Sequence, residues 1–255
     1  MRTLKLTIAY DGTRYAGWQV QRDKPTVQGT LERILRRILR DRVCVIGSGR
    51  TDAGVHALAQ VAHVRTRSRL PGERLVRSAN ALLPRDISIL KVEEVSAHFH
   101  AQFSARRKRY RYRVFTGIAP TPFIRPYVCQ VRAPLDLGLM RREAGALRGR
   151  HDFRAFARSS GAGPHTKRFG VGAGTTVRSL TEVRLRRRGE ELHFEFQGNG
   201  FLHTMVRSMT GTLLDIGRGR LPQGTVRRML RSGDRRLAGM TAPAKGLALI
   251  SVDYS

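Results

Sequence analysis

The sequence has few cysteines, few acidic residues and no long apolar run. Its two cysteines, Cys44 and Cys129, are too few and too far apart for a zinc site, and lone thiols are typical of a reducing compartment. No run of about eighteen apolar residues occurs, and no lipidation motif or amphipathic anchor is present. The N-terminal segment MRTLKLTIAYDG lacks the apolar core of a secretory signal. We therefore expect a cytoplasmic protein that does not contact membranes.

Acidic residues are scarce relative to basic ones. Lys and Arg total 48 against 19 Asp and Glu, a formal net charge of +29, and all but six of the bases are Arg. A coding bias can explain Arg over Lys but not the shortage of acids. So large a positive charge favours a polyanionic partner, and nucleic acid is the first candidate. With 255 residues, 40% of them hydrophobic, the chain can still bury a core.

Periodic apolar patterns predict helices and strands in mixed order along the whole chain. Helices are predicted at 28–40, 72–82 and 201–217. Strands are predicted at 4–10, 43–46, 59–66, 87–95, 108–115, 176–189, 191–198 and 246–254. Because each half mixes both kinds of element, the sequence predicts an α+β fold, although the halves share no residue-level repeat.

The segment SSGAGPHTKRFGVGAGTT, at 159–176, is rich in Gly, Ser and Thr. Its glycines 170, 172 and 174 resemble a nucleotide-binding loop only superficially. Such a loop must leave a strand and open a helix, whereas a strand-like pattern follows here. The composition instead predicts a surface loop that becomes ordered when RNA binds.

The segment IGSGRTDAGVHA, at 46–57, places Asp52 close to Arg50 among small residues. Ser48, Thr51 and Asp52 all favour turns and caps, so Asp52 can simply be a turn residue. Glycine-rich flanks also let an acid approach a ligand closely, and a neighbouring arginine favours the ionised carboxylate that a nucleophile requires. No other segment offers a metal cluster, a Ser/His/Asp arrangement or paired carboxylates. Both interpretations stay open on the residues alone.

The strand KRYRYRVF, at 108–115, alternates aromatic and basic side chains. Tyr110 and Tyr112 point to one face, and three arginines point to the other, where they could meet phosphates. Burial is the commoner outcome for such a tyrosine pair. The alternative is that one tyrosine stacks on an extruded base.

The segment GNGFLHTMVRSMTG, at 198–211, carries Asn199 as a predicted helix cap and an apolar helical stripe. His203 and Arg207 lie four residues apart on a neighbouring face. His203 alone is weak evidence for catalysis. Arg207 is either a solvated charge or the counter-ion of an acid elsewhere.

Six ordered motifs carry a resemblance to a known family. They are YDGTRYAGWQVQ (10–21), TVQGTLE (26–32), GRTDAGVHALAQVAH (49–63), FHAQFSARRKRYRYRVF (99–115), GNGFLHTMVRSMTGTLLDIG (198–217) and TAPAKGLALISVDY (241–254). In these motifs the chain resembles the tRNA pseudouridine synthase A (TruA) family over nearly its whole length. Several long motifs in a fixed order are far more specific than one short pattern.

The resemblance implies roles for five residues. Asp52 matches the family's catalytic aspartate, and Arg50 matches an arginine that helps to displace the target base. Tyr110 matches the tyrosine that stacks on the target uracil. Arg207 matches the basic residue that pairs with the aspartate, and Leu249 falls in the segment that forms the pocket floor.

The resemblance also implies a fold and an activity. The fold would be two similar α+β domains, 1–104 and 105–255, whose antiparallel sheets join into one extended sheet with the active-site cleft between them. The activity would be the isomerisation of uridine to pseudouridine at positions 38 to 40 in the anticodon stem-loop of tRNA, by a homodimer, with base flipping and with neither metal nor organic cofactor. The alternatives are a non-catalytic RNA-binding protein or chaperone and, on charge alone, a DNA-binding protein, for which no motif is present.

Overall fold

A computed structural model describes residues 1–158 and 175–255 of the chain. The fold is α+β, as the sequence predicts, and the chain packs as two compact units. The first unit consists of Met1–Lys108 and Ala248–Ser255, and the second of Arg109–Leu247. The C-terminal segment therefore packs with the N-terminal part of the chain. A domain boundary at residue 104 stays a prediction, and nearly all of the loop predicted at 159–176 lies outside the described residues.

The first unit is built on strands from both ends of the chain. Its elements are β1 (Arg2–Tyr10), α1 (Val27–Leu39), β2 (Ile46–Gly47), β3 (His56–Thr66), α2 (Gly72–Leu82), β4 (Ile87–Val95) and most of the C-terminal strand β10 (Leu247–Asp253). The strand order is β4-β1-β3-β10, and β2 pairs with β3. Strand β1 is antiparallel to both of its neighbours, whereas β10 runs parallel to β3.

Apolar periodicity explains which side chains form the core of this unit. In β1 every second residue from Leu4 to Tyr10 is buried, because alternate side chains of a strand share one face. The stripe of α1 is likewise buried at Leu31, Leu35 and Leu39. Helix α2 packs against β4 and against α1, so the helices cover apolar strand surface.

The strand predicted at 43–46 is largely absent, since β2 contains only Ile46 and Gly47. The backbone before it binds side chains of α1 instead of a neighbouring strand. Glu32 Oε1 accepts from the Val45 amide at 3.0 Å, and Arg36 Nε donates to the Val43 carbonyl at 3.1 Å. The apolar run therefore packs along the helix as an extended segment.

The second unit has its own strands and three helices within the described ranges. Its elements are β5 (Arg107–Phe115, from Arg109 on), β6 (Cys129–Gln130), α3 (Leu137–Gly145), β7 (Gly149–Asp152), β8 (Val177–Arg188), β9 (Glu191–Gly198), α4 (Met205–Gly217) and α5 (Thr225–Ser232). The strand order is β5-β9-β8-β7, with β6 parallel to β5. The predicted hairpin is confirmed, because β8 and β9 pair antiparallel.

Helix α4 is buried at every position except Arg207. It begins at Met205, after Thr204 in the left-handed region, and not at 201. Asn199 does not cap it: the Asn199 side chain accepts from the Ser179 amide at 3.0 Å. The helix tolerates full burial because its hydroxyl side chains bond within it, as when Thr210 Oγ1 donates to the Val206 carbonyl at 2.9 Å.

No helix within residues 1–158 and 175–255 has the length and the apolar character needed to cross a membrane. Nor does that part of the chain contain a group of three or more His, Cys, Asp or Glu residues that could hold a metal ion.

Candidate active site

Asp52 lies in the loop that joins β2 to β3 in the first unit. Side chains in this loop differ sharply in exposure. Ser48 and Thr51 are buried, Asp52 is half-buried and Arg50 is exposed. The hydroxyl groups thus face the interior, and the two ionisable side chains reach toward solvent, where a substrate can approach them.

Thr51 anchors the loop immediately before Asp52. Its hydroxyl hydrogen-bonds to the Tyr10 hydroxyl at 2.8 Å, and its carbonyl accepts from the Trp18 amide at 3.1 Å. Burial raises the pKa of Tyr10 to about 12, so the phenol keeps its proton at neutral pH. Tyr10 and Trp18, both distant from the loop in sequence, therefore fix the position of Thr51, the residue before Asp52.

A buried glutamine on β3 ties down the start of the loop. Gln60 is fully buried, and its Oε1 accepts from Ser48 Oγ at 2.7 Å. Its Nε2 donates to the Gly49 carbonyl at 3.0 Å. Lys108 Nζ donates to the Ser48 carbonyl at 2.5 Å. The carbonyl groups of Ser48 and Gly49, just before Arg50, are thus each held by a side-chain hydrogen bond.

Two glycines of the 10–21 segment allow its backbone to touch the Asp52 loop. A Cβ on Gly12 would lie 2.0 Å from the Val55 carbonyl oxygen. A Cβ on Gly17, whose φ is +100°, would lie 2.7 Å from the Thr51 carbonyl oxygen. No side chain fits at either distance, so glycine is required for backbone to pack on backbone here. The backbone of the 10–21 segment therefore packs directly against the loop on both sides of Asp52.

Leu249 lies beside the strand that leaves the loop. It pairs with Ala57 in the parallel β10/β3 ladder, and its side chain is buried. The structure thus brings Asp52, Arg50 and Leu249 into one unit, whereas Tyr110 and Arg207 belong to the other.

Tyr110 and Arg207 each have a structured environment in the second unit. Tyr110 is 7% exposed, and its ring meets Phe201 edge-on with 5.0 Å between ring centroids. The neighbouring Tyr112 is fully buried and donates to the Pro243 carbonyl at 2.8 Å. Arg207 Nε donates to the Ala242 carbonyl at 2.8 Å, which orients this side chain as it leaves the buried helix.

The arginine face of β5 is occupied by partners on β9. Arg109 bonds to the Gln197 side chain at 2.7 Å. Arg111 pairs with Glu195 and Arg113 with Glu191, each at 2.8 Å. From the sequence pattern, this face could have contacted phosphates. In the structure, the three arginines instead form cross-strand pairs that hold β5 against β9.

A family model described as tRNA pseudouridine synthase matches residues 6–104 and 144–255. The chain belongs to the tRNA pseudouridine synthase family. The match includes both the Asp52 loop and the 10–21 segment that packs against it.

Curated members of the family named tRNA pseudouridine synthase A resemble the chain from end to end. The protein from Pelobacter propionicus is 46% identical over 254 residues, and the one from Acetivibrio thermocellus is 43% identical over 254 residues. Both alignments cover 100% of this chain and 100% of the relative. The protein from Exiguobacterium is 42% identical over 254 residues, covering 100% of this chain and 98% of the relative.

Gln60, Gly12 and Gly17 were not singled out by sequence reasoning. Gln60 did carry a signal, because a glutamine stands between apolar residues in the strand-like run AQVAHV. Gly12 signalled only a turn after the first strand, as part of Asp11-Gly12, and Gly17 carried no signal, since the importance of both depends on which backbone lies opposite. In this member of the tRNA pseudouridine synthase family, these residues shape the loop without being candidates for the chemistry.

We expect Gln60→Ala to destabilise the protein and to lower kcat on tRNA. The change leaves Ser48 Oγ and the Gly49 carbonyl without their glutamine partner, a loss of about 1–3 kcal/mol in the free energy of unfolding. The loop before Asp52 would also lose a constraint. Urea unfolding and kcat at saturating tRNA measure the two effects. The control is Gln102→Ala, at an exposed position of the same unit. Wild-type stability and kcat in Gln60→Ala would contradict the assignment.

Proposed function

We propose that this protein converts uridine to pseudouridine at positions 38 to 40 in the anticodon stem-loop of tRNA, with Asp52 as the catalytic carboxylate. The conversion of uridine to pseudouridine in tRNA follows from membership of the synthase family. The observation that supports Asp52 is its place in a loop that Tyr10, Gln60 and two glycines hold from three sides. A surface turn without a function needs no such anchoring.

The reaction sets clear demands on the site. The bond between C1′ and N1 of uridine breaks, the uracil turns, and C5 bonds to C1′. The proton lost from C5 is balanced by the proton gained at N1, so the reaction is an isomerisation. Asp52 supplies the carboxylate, which acts either as a nucleophile that adds covalently or as a base that removes a proton from the sugar. It is the half-buried acid of a loop whose hydroxyl side chains, Ser48 and Thr51, are turned inward.

The target base must leave the helical stack before Asp52 can act. Arg50 is exposed next to the anchored Thr51, and a long cationic side chain there can occupy the space that the flipped base leaves. We assign substrate binding to Arg50, Tyr110, Arg207 and Leu249. Buried aromatic and aliphatic side chains such as Tyr110 and Leu249 suit a uracil, and Arg207 is the single position of α4 that is not buried.

We further propose that the enzyme is a cytoplasmic homodimer. The cysteines Cys44 and Cys129 are both free thiols, which suits a reducing compartment. Ile118 and Phe123 are 90% and 87% exposed in one short segment, and exposed apolar side chains of this size are typical of protein interfaces. A non-catalytic RNA-binding role, the other interpretation of the charge, is not favoured, because the relatives are named as synthases.

The test is to incubate the purified protein with an unmodified tRNA transcript and to map pseudouridine at single-nucleotide resolution. We expect modification at uridines 38 to 40 and at no other uridine. A transcript with cytidine at those positions is the control, and it should stay unmodified. Tight binding without any pseudouridine would indicate an RNA-binding protein, and modification elsewhere would refute the anticodon stem-loop as the target.

A further inference from the structure

His56 is a buried histidine to which none of the roles assigned above applies. It is the first residue of β3, four residues after Asp52, and it is 7% exposed. Its Nδ1 accepts from the Gly12 amide at 3.1 Å. A buried imidazole at the end of the Asp52 loop therefore has a defined partner on the 10–21 segment.

The contact lies just beyond the paired part of β1 and β3. In the register of these strands the final pair is Tyr10 with Ala57. The chain then leaves β1, and there the His56 side chain, rather than a strand partner, bonds to the Gly12 amide. The Gly12 backbone lies so close to the Val55 carbonyl that only glycine fits. His56 thus holds this turn where the close packing requires it.

The position of Val55 affects Asp52 through the backbone. The Val55 amide donates to the Asp52 carbonyl at 3.1 Å, which closes a short turn. The Gly54 amide, inside that turn, donates to the Tyr15 carbonyl at 3.3 Å. Because the turn is short and closed, a shift of the Val55 peptide also shifts Asp52. The histidine is therefore linked to the candidate catalytic residue through two successive backbone contacts.

Nδ1 of His56 faces two groups of the same turn. Besides the Gly12 amide, Asp11 Oδ1 lies 3.1 Å from this nitrogen. Accepting from the amide requires Nδ1 without a proton, whereas donating to the carboxylate requires Nδ1 with one. Asp11 Oδ1 already accepts from the Thr13 amide at 2.9 Å, so Gly12 is the partner that depends on the histidine. In either protonation form the ring bonds to this turn.

The far side of the same stretch is fixed by other groups. Asp86, just before β4, accepts from the Tyr15 hydroxyl at 2.7 Å and from the Arg14 guanidinium at 2.6 Å. Its carbonyl accepts from the Asp11 amide at 2.9 Å. These bonds hold the stretch to the start of β4, and the bond to His56 holds it to β3, the strand that leaves the Asp52 loop.

We propose that His56 is a positioning residue for the isomerisation. Its Nδ1 fixes the turn at Gly12 against the end of the Asp52 loop and so sets the place of the carboxylate. The proposal rests on the proposed function, in which Asp52 carries the chemistry, and His56 itself does not act on the uridine. Its effect is therefore on kcat and not on tRNA affinity, which phosphate contacts dominate.

The alternative is a histidine that only satisfies a buried amide, and β3 contains a matched case. His63 is 1% exposed, and its Nδ1 accepts from the Ala101 amide at 3.1 Å. Burial lowers the pKa of His63 to about 4, so the ring accepts at neutral pH. Ala101 belongs to the segment after β4 and not to the Asp52 loop or the 10–21 segment. The two histidines thus make the same kind of bond but hold different parts of the unit.

The experiment compares His56→Ala with His63→Ala, each of which removes a buried imidazole and a bond to a backbone amide. Urea unfolding measures stability, and kcat and KM are measured on unmodified tRNA. We expect a lower urea midpoint in both variants. We expect kcat to fall at least about tenfold in His56→Ala, because misplacing a catalytic group by about 1 Å can cost a hundredfold. KM in His56→Ala, and kcat in His63→Ala, should stay within about twofold of wild type.

His56→Asn is the conservative variant. Its side-chain amide places an oxygen or a nitrogen at the δ position, so it can accept from Gly12 or donate to Asp11. We expect it to restore kcat to within about threefold of wild type, since it remakes the bond without the ring. If His56→Ala fails to fold, His56→Leu takes its place, because leucine keeps much of the buried volume without a polar atom.

Hydrogen–deuterium exchange gives a readout that does not depend on activity. In His56→Ala the amides of residues 50–57 should exchange at least about tenfold faster than in wild type, and in His63→Ala at the wild-type rate. The proposal is overturned by equal losses of kcat in the two alanine variants, by wild-type kcat in His56→Ala, by a rise in KM alone, or by an asparagine variant as slow as alanine. Failure of the proposed function is a separate result: the wild type would form no pseudouridine, and exchange would still test whether His56 holds the loop.

Discussion

Replacing Asp52 by asparagine is expected to abolish pseudouridine formation while tRNA still binds. Asparagine has the same shape and can accept hydrogen bonds, but it is neither a nucleophile nor a base. The loss in kcat should be at least about a thousandfold, as for other residues that carry the chemical step. Single-turnover kinetics on unmodified tRNA measure the rate, and filter binding measures affinity. Binding persists because phosphate contacts dominate it.

Asp23→Asn is a matched control for this substitution. Asp23 is an acid of the same unit, its side chain is 88% exposed, and its φ of 57° is one that asparagine adopts readily. The control should retain wild-type kinetics. Wild-type activity in Asp52→Asn would refute the catalytic assignment. Joint loss of activity and binding would instead indicate that Asp52 maintains the structure of the loop.

Replacing Gly12 by alanine should disrupt the packing of the 10–21 segment against the Asp52 loop. The new Cβ would lie 2.0 Å from the Val55 carbonyl oxygen, so the backbone of one segment must move. We expect a loss of about 2–4 kcal/mol in the free energy of unfolding, the range of severe packing defects. Since displacing a catalytic group by about 1 Å can cost a hundredfold in rate, kcat should fall roughly that far in protein that remains folded.

The control for this change is Gly145→Ala. Gly145 ends α3, and a Cβ added there would meet nothing within 4 Å. Alanine at this position should change stability by no more than about 1 kcal/mol, in the stabilising direction. Urea unfolding and kcat are measured on both variants. If Gly12→Ala unfolds and reacts like wild type, the close packing of the 10–21 segment on the loop has no functional role.

The local sequence pattern correctly predicted the elements in which apolar side chains recur at regular intervals. Strand β4 spans Ile87–Val95, as its sequence predicts, and α1 buries the predicted stripe. The failures have a common physical cause. Residues 43–45 read as a strand but bond to side chains of α1, and Asn199 reads as a cap but bonds to Ser179. In each case a polar partner on another element of the fold outweighed local propensity.

The residues of the candidate site likewise fall into two groups: those that sequence motifs indicate, and those whose role only the structure reveals. Motifs in the sequence single out Asp52, Arg50 and Tyr110, because residue type and spacing are properties of the chain itself. Nothing in the sequence shows that Gln60 bonds to Ser48 and Gly49.

By itself, the sequence determined the positive charge, the α+β alternation and the motif that carries the acid, all of which are local or additive properties. Only the tertiary structure decided how that acid is held. The bonds and close approaches around Asp52 join β1, the 10–21 segment and β3, and hydrogen bonds and excluded volume act between neighbours in space, whatever their separation along the chain.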